Sequence, residues 1–158
     1  MSVSIFSYPL RSAAQVCIMV CVPGAARTQA LQVNGGNQTL TISTGIAGSE
    51  PLSVVNTSCS LRYQLRLRTQ KITVSTSCSG QDYNLAVVAT NVTKGNAAPE
   101  VSLVNGNPET DLVTDIPLGL FSYATCTLNF TASESFSQGN SIELGDDVHT
   151  ITYTIQAQ

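Results

Sequence analysis

At 158 residues, with 42% hydrophobic and only 11% charged side chains, the chain is long enough for one domain with a real core. The formal net charge is −3, and beyond residue 30 only Arg62, Arg66, Arg68, Lys71 and Lys94 stand against ten acidic groups, for a net −5. That balance excludes the electrostatic footprint of a nucleic-acid binder, and the absence of Trp leaves few platforms for stacking sugars.

The amino terminus comes first. Arg11 precedes an apolar run from Ala13 to Val22, then Pro23-Gly24 and a small-residue stretch ending in Thr28-Gln29-Ala30. This layout predicts an export signal over residues 1–30, cleaved after Ala30 or, as second choice, after Ala26. The expected domain is then residues 31–158, secreted or at a cell surface, including a periplasm. A buried amino-terminal helix or strand is the competing reading, disfavoured by Pro23-Gly24 and the polar stretch behind it. Lipidation of Cys21 is disfavoured by the bulk of Val20. The run is too short to span a bilayer comfortably, and no second stretch approaches that length, so no integral membrane span is expected.

Gln38 to Ser43 alternates around Leu40 and Ile42, and Leu52 to Val55 is a short apolar run. The most specified segment is CSLRYQLRLRTQKITVSTSC, from Cys59 to Cys78. Leu61, Tyr63, Leu65 and Leu67 share one face, with Arg62, Gln64, Arg66 and Arg68 on the other, the period-two pattern of a half-buried strand. A two-residue turn at Arg68-Thr69 would oppose Leu61 to Thr76, Tyr63 to Val74, Leu65 to Ile72 and Cys59 to Cys78. The expectation is therefore a hairpin clasped by a Cys59–Cys78 disulfide, a link whose loop-closure contribution would be on the order of 3 kcal/mol. Two features weaken it: Arg-Thr lacks the Asn-Gly chemistry of a tight hairpin turn, and Arg66 would face Lys71. A longer connection, or two strands in different sheets of a sandwich, is the alternative. Arg62, Arg66, Arg68 and Lys71 form a candidate basic contact stripe for an anion or polysaccharide, weighed against a solvated strand face.

Further on, Tyr83 to Thr90 reads as a central strand, Val101 to Val104 as a short one, and Asn105 to Leu118 as a long loop with at most an edge strand at Leu112-Val113. Ala124 to Ala132 sends Cys126, Leu128 and Phe130 inward. Val148 to Ala157 does the same with His149, Ile151, Tyr153 and Ile155. Seven to eight strands at this spacing, with almost no helix, predict a single all-β domain, an antiparallel β-sandwich of immunoglobulin-like or pilin-like type. Cys126 is expected to be a buried unreactive thiol, with pairing to Cys59 or Cys78 across two sheets as the alternative.

Chemistry is sparse. His149, the only histidine, has no nucleophile elbow or GxSxG to serve, and is expected to be a satisfied boundary residue. No zinc site is expected, because no short Cys pair follows residue 30 and the histidine is remote in sequence from the cysteines. Glu143, Asp146 and Asp147 around Gly145, and the pair Asp111 and Asp115, are expected to be solvated turns and not calcium ligands. Sequons stand at Asn37, Asn56, Asn91 and Asn129, with Asn129 alternating outward. No cofactor and no catalytic residue are assigned. The functional expectation is an exported structural or adhesive surface or matrix protein, a filament subunit that self-associates through edge strands, the last strand foremost, or that meets a cell-surface or matrix partner. The alternative is a secreted ligand- or carbohydrate-binding module or small hydrolase.

Overall fold

The computed structural model describes residues 15–23, 31–42, 52–119, 122–134 and 146–158, the first of these segments in its backbone only. Among them are eleven strands: β1 (Gln15–Pro23), β2 (Leu31–Asn34), β3 (Gln38–Ile42), β4 (Val54–Gln64), β5 (Gln70–Ser77), β6 (Asn84–Thr90), β7 (Asn96–Ala97), β8 (Val101–Ser102), β9 (Thr110–Ile116), β10 (Tyr123–Ser133) and β11 (Asp147–Ala157). They form two sheets, one ordered β3-β1-β11-β5-β9-β7 and the other β2-β4-β10-β6-β8. Every pairing is antiparallel except β1 with β11, which is parallel.

The alternation read from sequence survives as burial. Leu61 and Tyr63 on β4, Cys126, Leu128 and Phe130 on β10, and Leu85 and Val87 on β6 turn inward from one sheet. Ile72 and Val74 on β5, Leu112 and Ile116 on β9, and Ile151 and Tyr153 on β11 turn inward from the other. Both sets belong to one hydrophobic cluster, so the two sheets enclose a common core. Removing this much apolar surface from water is the main force holding the layers together.

The hairpin expectation fails here, and the alternative of two sheets holds. β4 pairs with β2 and β10, while β5 pairs with β11 and β9 in the opposite sheet. Residues 65–69 carry the chain between the layers: Leu65 N–H donates to Ser122 O at 2.8 Å, and Gly119 N–H to Arg66 O at 2.9 Å. The inward faces that a hairpin would have placed side by side meet instead across the interior. Leu67, expected to point inward, is 71% exposed at this corner.

The predicted disulfide falls with the hairpin. Cys59, Cys78 and Cys126 are buried, and none lies near disulfide-bonding distance of another. Separation of β4 and β5 into different sheets removes the register that would have opposed Cys59 to Cys78. Cys126 meets its expectation as a buried thiol, and burial pushes it up to about 11.

Two further segments depart from expectation. The loop predicted over 105–118 contains the seven-residue β9, an inner strand whose pairing with β5 is interrupted by register shifts between Gln70, Ile72 and Thr73. The bulged ladder hides it from a period-two reading. Gln15–Pro23, within the segment assigned to an export signal, forms the strand β1, paired with β3 and β11. The remainder of residues 1–30, with both cleavage positions, lies outside the described residues, as does Glu143. No helix among the described residues is long and apolar enough to cross a membrane.

Candidate functional site

The densest chemistry lies where β5 ends and β11 begins. β5 and β11 pair antiparallel with Ser77 opposite Thr150 and Thr76 opposite Ile151. Continuing that register by one residue brings Cys78 across from His149. The inward parity of Ile151 and Tyr153, carried back along β11, puts His149 and then Asp147 on the core face. Side-chain ligand atoms of Cys78, Asp147 and His149 consequently lie within 4.8 Å of one another. All three residues are buried, at 1%, 3% and 0% exposure.

Each is held by identifiable partners. The Asp147 carboxylate accepts the Asp82 N–H at 3.1 Å and 3.0 Å on its two oxygens, and the Tyr83 N–H at 2.8 Å on Oδ2. These contacts need the chain to double back after Cys78, which it does through Gly80, at φ +72°. Cys78 N–H donates to Asn105 Oδ1 at 3.0 Å, and Asn105 N–H to Gln81 Oε1 at 2.8 Å, tying the same turn to the segment after β8. His149 Nδ1 is 3.0 Å from the Thr76 hydroxyl. Among the described residues its other ring nitrogen, Nε2, is buried without a hydrogen-bond partner, and Asp147 Oδ2 is 3.8 Å away, too long for a bond. A buried unsatisfied nitrogen of this kind costs about 1–3 kcal/mol.

Electrostatics keep the thiol and the imidazole neutral. Burial pushes the Cys78 thiol up, and the adjacent Asp147 charge adds to that. Burial holds His149 below its ordinary value, with the Asp147 carboxylate pulling the other way. Activation of a cysteine nucleophile requires the reverse, a lowered thiol pKa and access for substrate. What the cluster does offer is a thiol, an imidazole nitrogen and a carboxylate oxygen converging on one point, the donor set of a borderline-soft divalent cation.

The sequence-derived residues distribute differently. Arg62 lies on β4 with its guanidinium 3.9 Å above the Tyr123 ring, beside a shallow hollow lined by Leu31 and Gln32. Lys71 lies on β5 in the other sheet and pairs with Asp111 at 2.7 Å. Arg66 and Arg68 fall in the connection between them, so the four cations do not share one strand face. Asp111 is thus half of a partly exposed ion pair. Asp115, at φ +50°, is held below the usual carboxylate range by hydrogen bonds from Asn96, Thr114 and Gln158. Asp147, expected in a solvated turn, is instead the buried anchor just described. The Asn129 sequon points away from Leu128 and Phe130 but is only half exposed, with Oδ1 buried and unbonded.

Sequence reasoning missed the cluster because it treated Cys78, Asp147 and His149 separately. The premise that the histidine lies apart from the cysteines does not hold for Cys78. One signal was present: extending the alternation of the last strand two residues back would have placed Asp147 inward beside His149. No family model matches the chain, and no curated protein matches it in sequence.

Proposed function

We propose that this protein is an exported structural subunit, of immunoglobulin-like or pilin-like sandwich type, whose copies associate along β11. One observation carries the reading: the long strands are internal, and the edge strands are stubs. β2 and β3 have four and five residues, β7 and β8 two each. Short edges resist pairing with other chains. The eleven-residue β11 is internal only because β1 occupies its far side, with residues 17–23 in register with residues 147–153. β1 belongs to the segment whose layout is that of an export signal. Its removal would leave β11 with a row of unpaired backbone groups and a gap beside β3, a seat for a strand of a second copy.

The test is size analysis of the full chain and of a chain lacking residues 1–30, each with and without a synthetic peptide of residues 15–23. The full chain is expected to be monomeric, and the shortened chain to associate until the peptide fills the seat. A shortened chain that is folded, monomeric and indifferent to the peptide refutes the proposal.

A further inference from the structure

We propose that Cys78, Asp147 and His149 bind a divalent zinc ion. The inference is independent of how copies assemble and rests on the geometry at the junction of β5 and β11. Zinc takes sulfur at roughly 2.3 Å and nitrogen or oxygen at roughly 2.0–2.2 Å in a tetrahedral shell, so its ligand atoms stand roughly 3.3–3.8 Å apart. The 3.8 Å between Asp147 Oδ2 and His149 Nε2 is a few tenths of an ångström beyond the roughly 3.3–3.6 Å of a nitrogen–oxygen ligand pair, and is too wide for a hydrogen bond. All three ligand atoms fall within 4.8 Å of one another, so small side-chain movements bring them to a single ion.

The orphaned nitrogen is the second, independent observation. His149 is fully buried, its Nε2 has no hydrogen-bond partner among the described residues, and it stands 3.8 Å from the Asp147 carboxylate. The other ring nitrogen is already engaged by Thr76 at 3.0 Å, and in the tautomer whose Nδ1–H donates to that hydroxyl the Nε2 lone pair is presented to a metal. Asp147 is braced by the Asp82 and Tyr83 N–H groups, and the Cys78 backbone by Asn105, so two ligands sit on fixed supports. A thiolate among the ligands selects zinc over calcium or magnesium. On binding, the Cys78 thiol gives up its proton to solvent, while the imidazole already has its lone pair available. Three protein ligands leave a fourth position for water or a further donor.

The experiment uses the full chain, reduced and chelator-treated, titrated with cobalt(II) as a spectroscopic stand-in and then with zinc. One equivalent of cobalt is expected to give a thiolate-to-cobalt charge-transfer band, displaced by one equivalent of zinc. The band is expected to vanish in Cys78→Ser and to persist in Cys59→Ser and Cys126→Ser. Thr76→Val is expected to weaken zinc binding about tenfold or more, as loss of an outer-shell partner does. Absence of stoichiometric uptake, or a band retained in folded Cys78→Ser, overturns the proposal. Should Cys78→Ser not fold, alkylation of the wild-type chain decides: zinc should slow modification of Cys78 at least about tenfold while leaving Cys126 unchanged. Equal rates at Cys78 with and without zinc overturn it.

Discussion

Replacing Asp147 tests whether a buried carboxylate ties β11 to the start of β6. Its Oδ2 accepts from both Tyr83 N–H, at 2.8 Å, and Asp82 N–H, at 3.0 Å, while Oδ1 lies 3.1 Å from Asp82 N. Counted as two hydrogen bonds to a charged acceptor at about 1.5–3 kcal/mol each, Asp147→Ala loses about 4 kcal/mol and leaves the Tyr83 N–H without its acceptor. Asp147→Asn can keep one oxygen facing both donors but loses the charge, which accounts for about half the strength of such bonds. Its expected cost is about 2 kcal/mol, reduced to the extent that the wild type bears the cost of burying an ion. For a chain of this size these values correspond to drops in Tm of about 12 °C and about 6 °C. Urea unfolding followed by far-ultraviolet circular dichroism, with chelator present so that no metal contributes, measures both. An Ala variant within about 1 kcal/mol of wild type, or an Asn variant no better than Ala, would refute the anchoring role.

Two neighbouring glycines give a matched comparison. Gly35→Ala would set a Cβ 2.7 Å from Ser58 O and 3.0 Å from Cys59 Cα at φ +112°, whereas Gly36→Ala meets nothing within 4 Å at φ +64°. The first should cost at least about 3 kcal/mol and the second about 1, read as urea midpoints; equal costs would show that the β2–β3 turn does not press on β4. Alkaline pH should destabilise the fold. Burial pushes Tyr63 and Tyr83 up to about 12 and Cys126 up to about 11, so the unfolded chain releases these protons first. Their contribution is complete below about pH 9, declines as pH rises through 10, and is lost by about 12, measurable as a falling urea midpoint with the tyrosinate absorbance of Tyr63 and Tyr83 appearing only on unfolding. Tyrosines that all ionise near 10 in the folded protein would contradict the burial of these rings.

Much of the fold was legible because strand alternation is local. Leu61 with Tyr63, Leu128 with Phe130, and Ile151 with Tyr153 each declare a face two residues at a time, and the structure buries all six. The weak turn at Arg68-Thr69 and the prospective Arg66–Lys71 contact were also legible as objections to a hairpin, and both objections are met by sending β4 and β5 to different sheets. β9 was not legible, because bulges between Asp111 and Val113 and between Val113 and Ile116 break its alternation. The candidate metal centre was half legible: parity along β11 brings Asp147 and His149 to one face, but nothing near Cys78 in sequence announces either of them.

The sequence by itself determined that this is an all-β domain and which face most of its strands turn inward, while its expected Cys59–Cys78 disulfide did not hold. It did so because a period of two fixes a face wherever a strand forms. Only the tertiary structure decided which strands are neighbours, that Cys78 meets Asp147 and His149, and that residues 15–23 fill the place beside β11. Pairing depends on backbone hydrogen bonds, which are the same for every residue and carry no address. The partner is chosen by closing chain segments some seventy residues long around a shared core, and that choice is a property of the whole molecule.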